Sequence, residues 1–293
     1  MKFLSIGECM LELSPRGEGL FAQGYAGDTF NTAWYMAQVA GPDIETFYLT
    51  AVGDDLPSRQ MTDFMEASGV TPMAKRRKDR SVGLYMIVLN KGERSFLYWR
   101  DHAAAKTLAD DLDELPLKAG DIAYFSGITL AILSPAGREN LFAALSASKA
   151  SGVTIVFDPN LRPRLWGGLD EMRDWTTRGA SLSDLCLPSF EDEATYFTDR
   201  APEDTGKRYL ANGSKQVIVK NGPDPIAVCE AGSVTYVDID PLADIVDTTA
   251  AGDSFNAQFC ASYFSGSNAV DAAKEAAAMS RKVISQPGAL VAL

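Results

Sequence analysis

The chain predicts an α/β protein built on a doubly wound, mostly parallel sheet flanked by helices, and three observations lead there. Short apolar runs end in small or polar residues, helix-permissive stretches separate those runs, and the unusual residues gather just after them. Phe3 to Gly7, Ile122 to Gly127, Val153 to Asp158 and Val217 to Asn221 have the length and composition of strands buried on both faces. Ser58 to Ser68, Pro135 to Ser151, Asp204 to Ala211 and Ala269 to Ser285 read as helices, with Ser134 and Asp204 as candidate caps. Alternating strand and helix implies a sheet covered on both faces. Ligands bind beyond the carboxyl ends of such strands. That is where Ser126-Gly127, Asp158-Pro159-Asn160 and Lys220-Asn221-Gly222 fall.

Two stretches break this rhythm. Cys9 to Tyr25 and Ser81 to Arg100 alternate apolar and polar residues, as half-exposed antiparallel strands do. Within the second, Asn90 to Arg94 has the size of a hairpin turn. These segments, at about 9–25 and 81–100, are expected to form a small accessory β-sheet acting as a lid over the active-site mouth. Neither a repeat nor a linker divides the chain, so residues 1–293 are expected to form one domain.

The 293 residues can bury a substantial core, and 46% of them are hydrophobic, an ordinary globular proportion. The opening apolar run is too short for a signal segment and meets Glu8, and no run reaches membrane-spanning length. Cys9, Cys186, Cys229 and Cys260 have no paired spacing, which argues against a disulfide framework or zinc site and suits a reducing cytoplasm. A net charge of −12 disfavours nucleic acid or an anionic membrane as partner. His102 is the single histidine and no G-x-S-x-G elbow accompanies it, which disfavours a serine hydrolase.

The most informative stretch is Asp247-Thr248-Thr249-Ala250-Ala251-Gly252-Asp253-Ser254-Phe255. A strand-like approach from Thr235 to Asp240 precedes it, and a helix-permissive stretch from Ala251 to Phe264 follows. Ala250, Ala251 and Gly252 let a ligand approach the unpaired backbone donors of a first helical turn, a natural phosphate site. Asp253 stands where it can take a proton from an attacking hydroxyl. An ordinary small-residue helix start with a dipole-favourable acid gives the same pattern.

Other residues could hold a polyol or an anion. Tyr98 and Arg100 lie two apart on a predicted strand and so share a face, which Tyr85 on the partner strand can join. Phenol hydroxyls beside a guanidinium suit a sugar acid, although a solvated edge strand would look the same. Asn160 to Trp166 places Arg162 and Arg164 after a strand end, in a loop stiffened by Pro159 and Pro163. The cluster suggests a carboxylate or phosphate clamp; pairing of Arg164 with a nearby acid is equally compatible. Ala26 to Thr32 leads into a helix through Ala40, where Gly27 allows close approach and Asp28 and Asn31 can bond hydroxyls. Asp28 or Thr29 could instead simply cap that helix.

Taken together these residues resemble the ribokinase-like (PfkB) carbohydrate kinases, whose signature Asp-Thr-x-Gly/Ala-Ala-Gly-Asp matches 247–253. The resemblance extends over nearly the whole chain: Ile6 to Ser14, Gly27-Asp28-Thr29 with Asn31-Thr32, Tyr98-Trp99-Arg100, Ala103 to Lys106, Ser126-Gly127-Ile128, Leu130 to Pro135 and Arg162 to Trp166. These internal motifs resemble the members that act on 2-keto-3-deoxy sugar acids more than generic fructokinases or ribokinases. The resemblance implies a ribokinase-like fold and ATP-dependent phosphorylation of the terminal hydroxyl of 2-keto-3-deoxygluconate. It implies Asp253 as base and the backbone of Ala250, Ala251 and Gly252 as anion hole. Gly27, Asn31, Tyr85, Tyr98, Arg100, Ile128 and Arg162, with Asp253, match substrate-contacting positions, and Ser189, Lys220, Gly222 and Gly252 match nucleotide-binding ones.

Magnesium is implied with ATP, and a monovalent cation such as potassium near Asp247 and Thr249. An Asn-x-x-Glu motif that positions magnesium in the family is replaced by Ser189-Phe190-Glu191-Asp192-Glu193, leaving Asp192 or Glu193 as candidates. Gln258 stands where the signature has Gly or Ala. A homodimer or higher homo-oligomer meeting across the lid is expected, through an apolar side bearing Leu84, Met86 and Phe96. Rival readings are a fructokinase-like enzyme, a kinase of the galactonate epimer, and a non-catalytic sugar-acid sensor.

Overall fold

The computed structural model describes residues 1–90, 93–240, 242 and 244–293. The strands of the larger sheet are β1 (Lys2–Ile6), β4 (Glu45–Gly53), β5 (Thr71–Arg77), β8 (Ile122–Ser126), β9 (Thr154–Asp158), β10 (Leu185–Cys186), β11 (Gln216–Val219), β12 (Ile226–Glu230) and β13 (Ser233–Val237). Their order is β13-β12-β11-β10-β9-β8-β1-β4-β5. Every neighbouring pair from β5 to β11 is parallel, and β12 and β13 are added antiparallel. The four strands expected from the sequence are four of these. The strand-like approach expected over 235–240 lies two to three residues earlier, in β13.

Alternation along the central strands divides the core between the two faces. Phe3, Tyr124, Val156 and Ile218 enter one cluster with Ala257, Phe259, Ala273 and Ala276. Those partners come from α8 (Ala251–Phe264) and α9 (Ala269–Ile284), beside α1 (Asp28–Val39). Leu4, Phe125, Phe157 and Val217 enter the other cluster with Leu141, Leu145, Ala180 and Tyr209. These belong to α4 (Pro135–Ala150), α5 (Leu169–Leu182) and α7 (Pro202–Ala211). Each fully buried large apolar side chain contributes about 1.5–3 kcal/mol, so the two-faced burial is the main source of stability. The remaining helices are α2 (Leu56–Ala67), α3 (Gly127–Ile132) and α6 (Phe190–Phe197).

Two expected caps are corrected. Ser134 does cap α4, accepting from Gly137 N–H at 3.0 Å. Asp204, however, lies in the first turn of α7, whose cap position is Ala201, because Pro202 supplies the fixed φ that starts the helix. Similarly, Gly27 rather than Asp28 or Thr29 occupies the cap position of α1.

The accessory sheet has the order β3-β2-β6-β7, from β2 (Met10–Pro15), β3 (Phe21–Ala26), β6 (Gly83–Asn90) and β7 (Glu93–Trp99). It is not wholly antiparallel, as the sequence suggested: β2 and β6 run parallel, because the chain passes through β4 and β5 between them. Lys91 and Gly92 of the expected hairpin turn lie outside the described residues. The register sets Met86 opposite Leu97 and Ile87 opposite Phe96. Phe96 therefore shares a face with Tyr85 and Tyr98, not with Leu84 and Met86 as expected, and Leu84 packs partly buried against an inner cluster with Leu11 and Tyr25.

Candidate active site

Four chain segments meet beyond the carboxyl ends of the parallel strands. They are the turn after β1, the N-terminus of α1, the loop after β9 and the N-terminus of α8. Ala250 enters α8 in the left-handed region, φ 60° and ψ 16°, an uncommon conformation for a residue with a Cβ. Ala251 N–H bonds the Thr248 carbonyl at 3.2 Å, and the Ala250 carbonyl accepts from Ser254 N–H at 2.9 Å. The N–H groups of Ala250, Gly252 and Asp253 have no protein acceptor among the described residues. They form a donor cluster at the positive end of the helix dipole. Lys220 reinforces it, with Nζ 3.5 Å from where a Cβ on Gly252 would stand.

Asp253 is held from the opposite helix. Asn31 donates Nδ2 to Asp253 Oδ2 at 2.8 Å, and its own Oδ1 accepts from Gly27 N–H at 3.3 Å. Burial, then the nearby Asp28 carboxylate, pushes the Asp253 carboxyl up to about 8, against the Asn31 hydrogen bond and the charge of Lys220. Asp28 is itself raised by burial, and its Oδ2 accepts from Asn160 Nδ2 at 2.8 Å. Asn160 reaches it from a left-handed backbone, φ 35°, in the loop after β9. Gly27 brings this wall close to the turn after β1, since a Cβ there would overlap the Glu8 carbonyl oxygen.

Lys220 is anchored below. Its Nζ donates to Asn256 Oδ1 at 3.1 Å and lies 3.4 Å from Asp158 Oδ2, while Asn256 Nδ2 donates to the same Asp158 oxygen at 2.7 Å. Ser189 forms an isolated parallel bridge with Lys220, and Gly222 turns away in the exposed loop beyond with φ 57°.

The expected sugar-acid residues line the other end. Tyr85 is buried and donates to Glu12, with its ring 5.9 Å from that of Tyr98, which is 52% exposed. Arg100 lies 5.9 Å from the Tyr98 ring and is ion-paired with Glu8. Arg162 is half-exposed, with Asp192 3.6 Å away. Arg164 is exposed and pairs with no acid among the described residues. Ile128, the second residue of α3, packs partly buried against the core that also receives Trp166.

The two metal candidates are placed differently. Glu193 is fully buried against Arg208 (2.6 Å) and Tyr209 (2.8 Å), and burial raises it to about 7. Asp192 stays partly exposed within the fields of Arg162, Asp158 and Lys220, and burial raises it too. Asp247 Oδ1 accepts Thr249 N–H at 3.0 Å and Oδ2 accepts Gly288 N–H at 2.7 Å, tying the approach to α8 to the turn after α9. Among the described residues no group of three or more His, Cys, Asp or Glu could hold a metal ion unaided. Gln258 donates to Ser262 at 2.9 Å, one turn further along α8.

The sequence reading gave no role to Glu8, Glu12 or Asn256. Glu8 could have been found as the second residue after a strand end. Glu12 could have been found from period-two spacing once β2 was set beside β6, and Asn256 from its place one turn after Asp253.

The profile of the pfkB family carbohydrate kinases matches residues 2–293. The chain is 38% identical over 301 residues to the 2-dehydro-3-deoxygluconokinase of Escherichia coli strain K12, covering 99% of this chain and 97% of that one. It is 37% identical to the 2-dehydro-3-deoxygluconokinase of Dickeya dadantii, covering 98% and 96%. Its fold superposes on the crystal structure of aminoimidazole riboside kinase from Salmonella enterica complexed with aminoimidazole riboside and an ATP analogue. The TM-score is 0.86 at 22% identity, with 98% of this chain and 94% of that one covered. Among the described residues no helix is long and apolar enough to cross a membrane.

Proposed function

This chain belongs to the pfkB family of carbohydrate kinases, and from that premise we propose that it phosphorylates 2-keto-3-deoxygluconate at the terminal hydroxyl with ATP. The product is 2-keto-3-deoxy-6-phosphogluconate. The observation that carries this reading is the pairing of Asp253 with an unpartnered donor cluster and Lys220 at one helix start, with Arg100 held to the turn after β1 and Arg162 in the loop after β9. A phosphoryl group, its acceptor hydroxyl and a carboxylate each find a complementary group there.

Asp253 accepts the proton of the attacking hydroxyl, oriented by Asn31. The N–H groups at 250–252 receive charge developing on the transferring phosphoryl oxygens. In the present arrangement Ala251 N–H is turned to Thr248, so Ala250 and Gly252 supply the open donors. Ser189, Lys220 and Gly222 line the route of the nucleotide phosphates. Gly27, Asn31, Tyr85, Tyr98, Arg100, Ile128 and Arg162 enclose the sugar acid, with Arg100 and Arg162 reading its carboxylate.

Magnesium bound with ATP would neutralise phosphate charge. Asp192 and Asp158 fit its orientation through water, because hard oxygen donors in a phosphate-facing site suit that ion. Glu193 is occupied by Arg208 and is left out of this role. Asp247 beside Thr249 fits a site for a monovalent cation such as potassium that steadies the loop before α8, since a carboxylate is a hard oxygen donor.

Residues 1–293 act as one kinase domain in the cytoplasm, with the four-stranded sheet as lid. Leu97 and Trp99 are exposed on one face of its edge strand β7, and a second copy covers them in a homodimer. A monomeric mass by light scattering at micromolar concentration would overturn that point.

ATP consumption with magnesium and, in turn, 2-keto-3-deoxygluconate, its galactonate epimer and fructose tests the reading. Turnover of the gluconate-derived acid above both others is expected. A preference for fructose would overturn the substrate, and silence on all three with ATP still bound would favour a sensor.

A further inference from the structure

Glu8 is a deeply buried charged group beside the site, 2% exposed, and the proposed reaction does not use it. It sits in the turn after β1, and its Oε2 accepts from Arg100 Nη2. Its Oε1 is buried with no hydrogen-bond partner. The space around Oε1 is set by Gly83, where a Cβ would come within 2.7 Å of it. Arg100 donates nothing else to the protein among the described residues, so Nε and Nη1 have no protein acceptor. The Tyr98 ring lies beside the guanidinium, and the charged groups acting on Glu8 besides Arg100 are Asp28 and Lys106.

We infer that Glu8 is a positioning residue for substrate selection: it grips one end of the Arg100 guanidinium and aims the remaining fork at the carboxylate of the sugar acid. This rests on the proposed function. A flexible arginine spends side-chain entropy when it orders around an anion, and a buried carboxylate fixed to the strand end removes that cost beforehand. The unpartnered Oε1 supports the same role. It leaves Glu8 a second acceptor, so that Arg100 can settle side-on through Nε and Nη2 while Nη1 still meets the substrate. Gly83 keeps that position open.

Steady-state kinetics of Glu8→Gln and Gly83→Ala test this, with 2-keto-3-deoxygluconate and fructose as alternative acceptors. Gln keeps an acceptor oxygen but weakens the grip; the added methyl at 83 displaces Oε1 and also meets the Met10 side chain at 3.1 Å and Arg100 Cβ at 3.3 Å, so Glu8→Gln is the decisive variant. In both variants KM for the sugar acid is expected to rise about tenfold, the scale of one weakened charge-assisted contact. That rise should exceed the fall in kcat at least fivefold, and KM for ATP and for fructose should move less than twofold. An unchanged KM for the acid with a lowered melting temperature would make Glu8 a structural ion pair only and overturn the inference. A lowered KM would also overturn it, since Glu8 would then merely compete for Arg100. If the wild-type enzyme itself ignores the acid, the functional reading has failed first, and that outcome is distinguished by the wild-type control.

Discussion

Asn31 Nδ2 and Asp253 Oδ2 meet at 2.8 Å across 222 positions of sequence, joining the N-termini of α1 and α8. In the proposed reaction Asp253 is the base, which must be both present and aimed, and this contact supplies the aim. The fold brings two helix starts face to face beyond the strand ends, and the charge of one is oriented by the amide of the other.

Removing the base should stop chemistry and spare binding. Asp253→Asn is expected to lower turnover about 10²–10⁴-fold, the usual contribution of a positioned proton acceptor. The affinity for ATP, read by calorimetry, should stay within a few-fold. Near-normal turnover would remove Asp253 from the role of base.

The same residue sets a pH dependence. Its folded carboxyl, pushed to about 8 by burial and then by Asp28, holds a proton that the unfolded chain has lost above the usual carboxylate range. A base acts only when deprotonated, so kcat/KM should rise with pH and level off above about 8, the value to which Asp253 is pushed. Stability runs the other way. The contribution of the raised group is complete below the ordinary carboxylate pKa and is lost as pH climbs through about 8. Asp253→Asn should therefore gain melting temperature relative to wild type between pH 5 and 9. A constant difference across that window would contradict the raised pKa.

Loss of the orienting amide should show in both readouts. Asn31→Ala is expected to cut kcat about 10- to 100-fold, as small misplacements of reacting groups do. Because the Asn31 hydrogen bond lowers the Asp253 pKa, its removal should also move the rising limb of the pH profile upward. A fall in kcat with an unmoved limb would mean that Asn31 acts on the substrate alone.

The arginines are separable from the chemistry. Arg100→Ala and Arg162→Ala should raise KM for the sugar acid about 10- to 100-fold, the range of a hydrogen bond to a charged partner. KM for a neutral ketose should change little. Arg100 is the better ordered of the two, its side chain 13% exposed against 51% for Arg162, so its loss should be the larger. Equal losses with the neutral sugar would show that neither reads the carboxylate.

Much of this site was legible before any coordinates. Asp253 and the small residues before it were legible as a candidate phosphate site, because open donors at a helix start depend on little more than local sequence. The strands at 3–7, 122–127, 153–158 and 217–221 were equally plain, being continuous apolar runs. The two-residue strand β10 was not, since Leu185 and Cys186 are strand only by pairing with β9 and β11. The parallel pairing of β2 with β6 was hidden for a similar reason: it depends on the chain leaving through β4 and β5 and returning. That pairing decides which side of the small sheet Phe96 faces, so the expected apolar face was wrong at that residue. The Glu8–Arg100 pair is likewise a long-range contact with no local signature.

Ala250 adopts φ 60° at the entry to α8, where a residue with a Cβ costs about 1–2 kcal/mol more than in the right-handed region. Glycine adopts that conformation without the cost, and the signature that 247–253 resembles accepts Gly or Ala at this position. Ala250→Gly should therefore raise the melting temperature by about 2–4 °C for each kcal/mol recovered, less whatever is lost to the greater freedom of the unfolded chain. Valine should do the reverse. Its branched side chain disfavours the left-handed region strongly, and position 250 is buried. Ala250→Val should thus lower both stability and kcat, because turning the backbone at 250 misaims the N–H groups that receive the phosphoryl oxygens. If glycine left stability unchanged and valine left kcat unchanged, the backbone conformation at 250 would be incidental to catalysis. Opposite shifts in the two variants would tie the left-handed turn to the anion hole it builds.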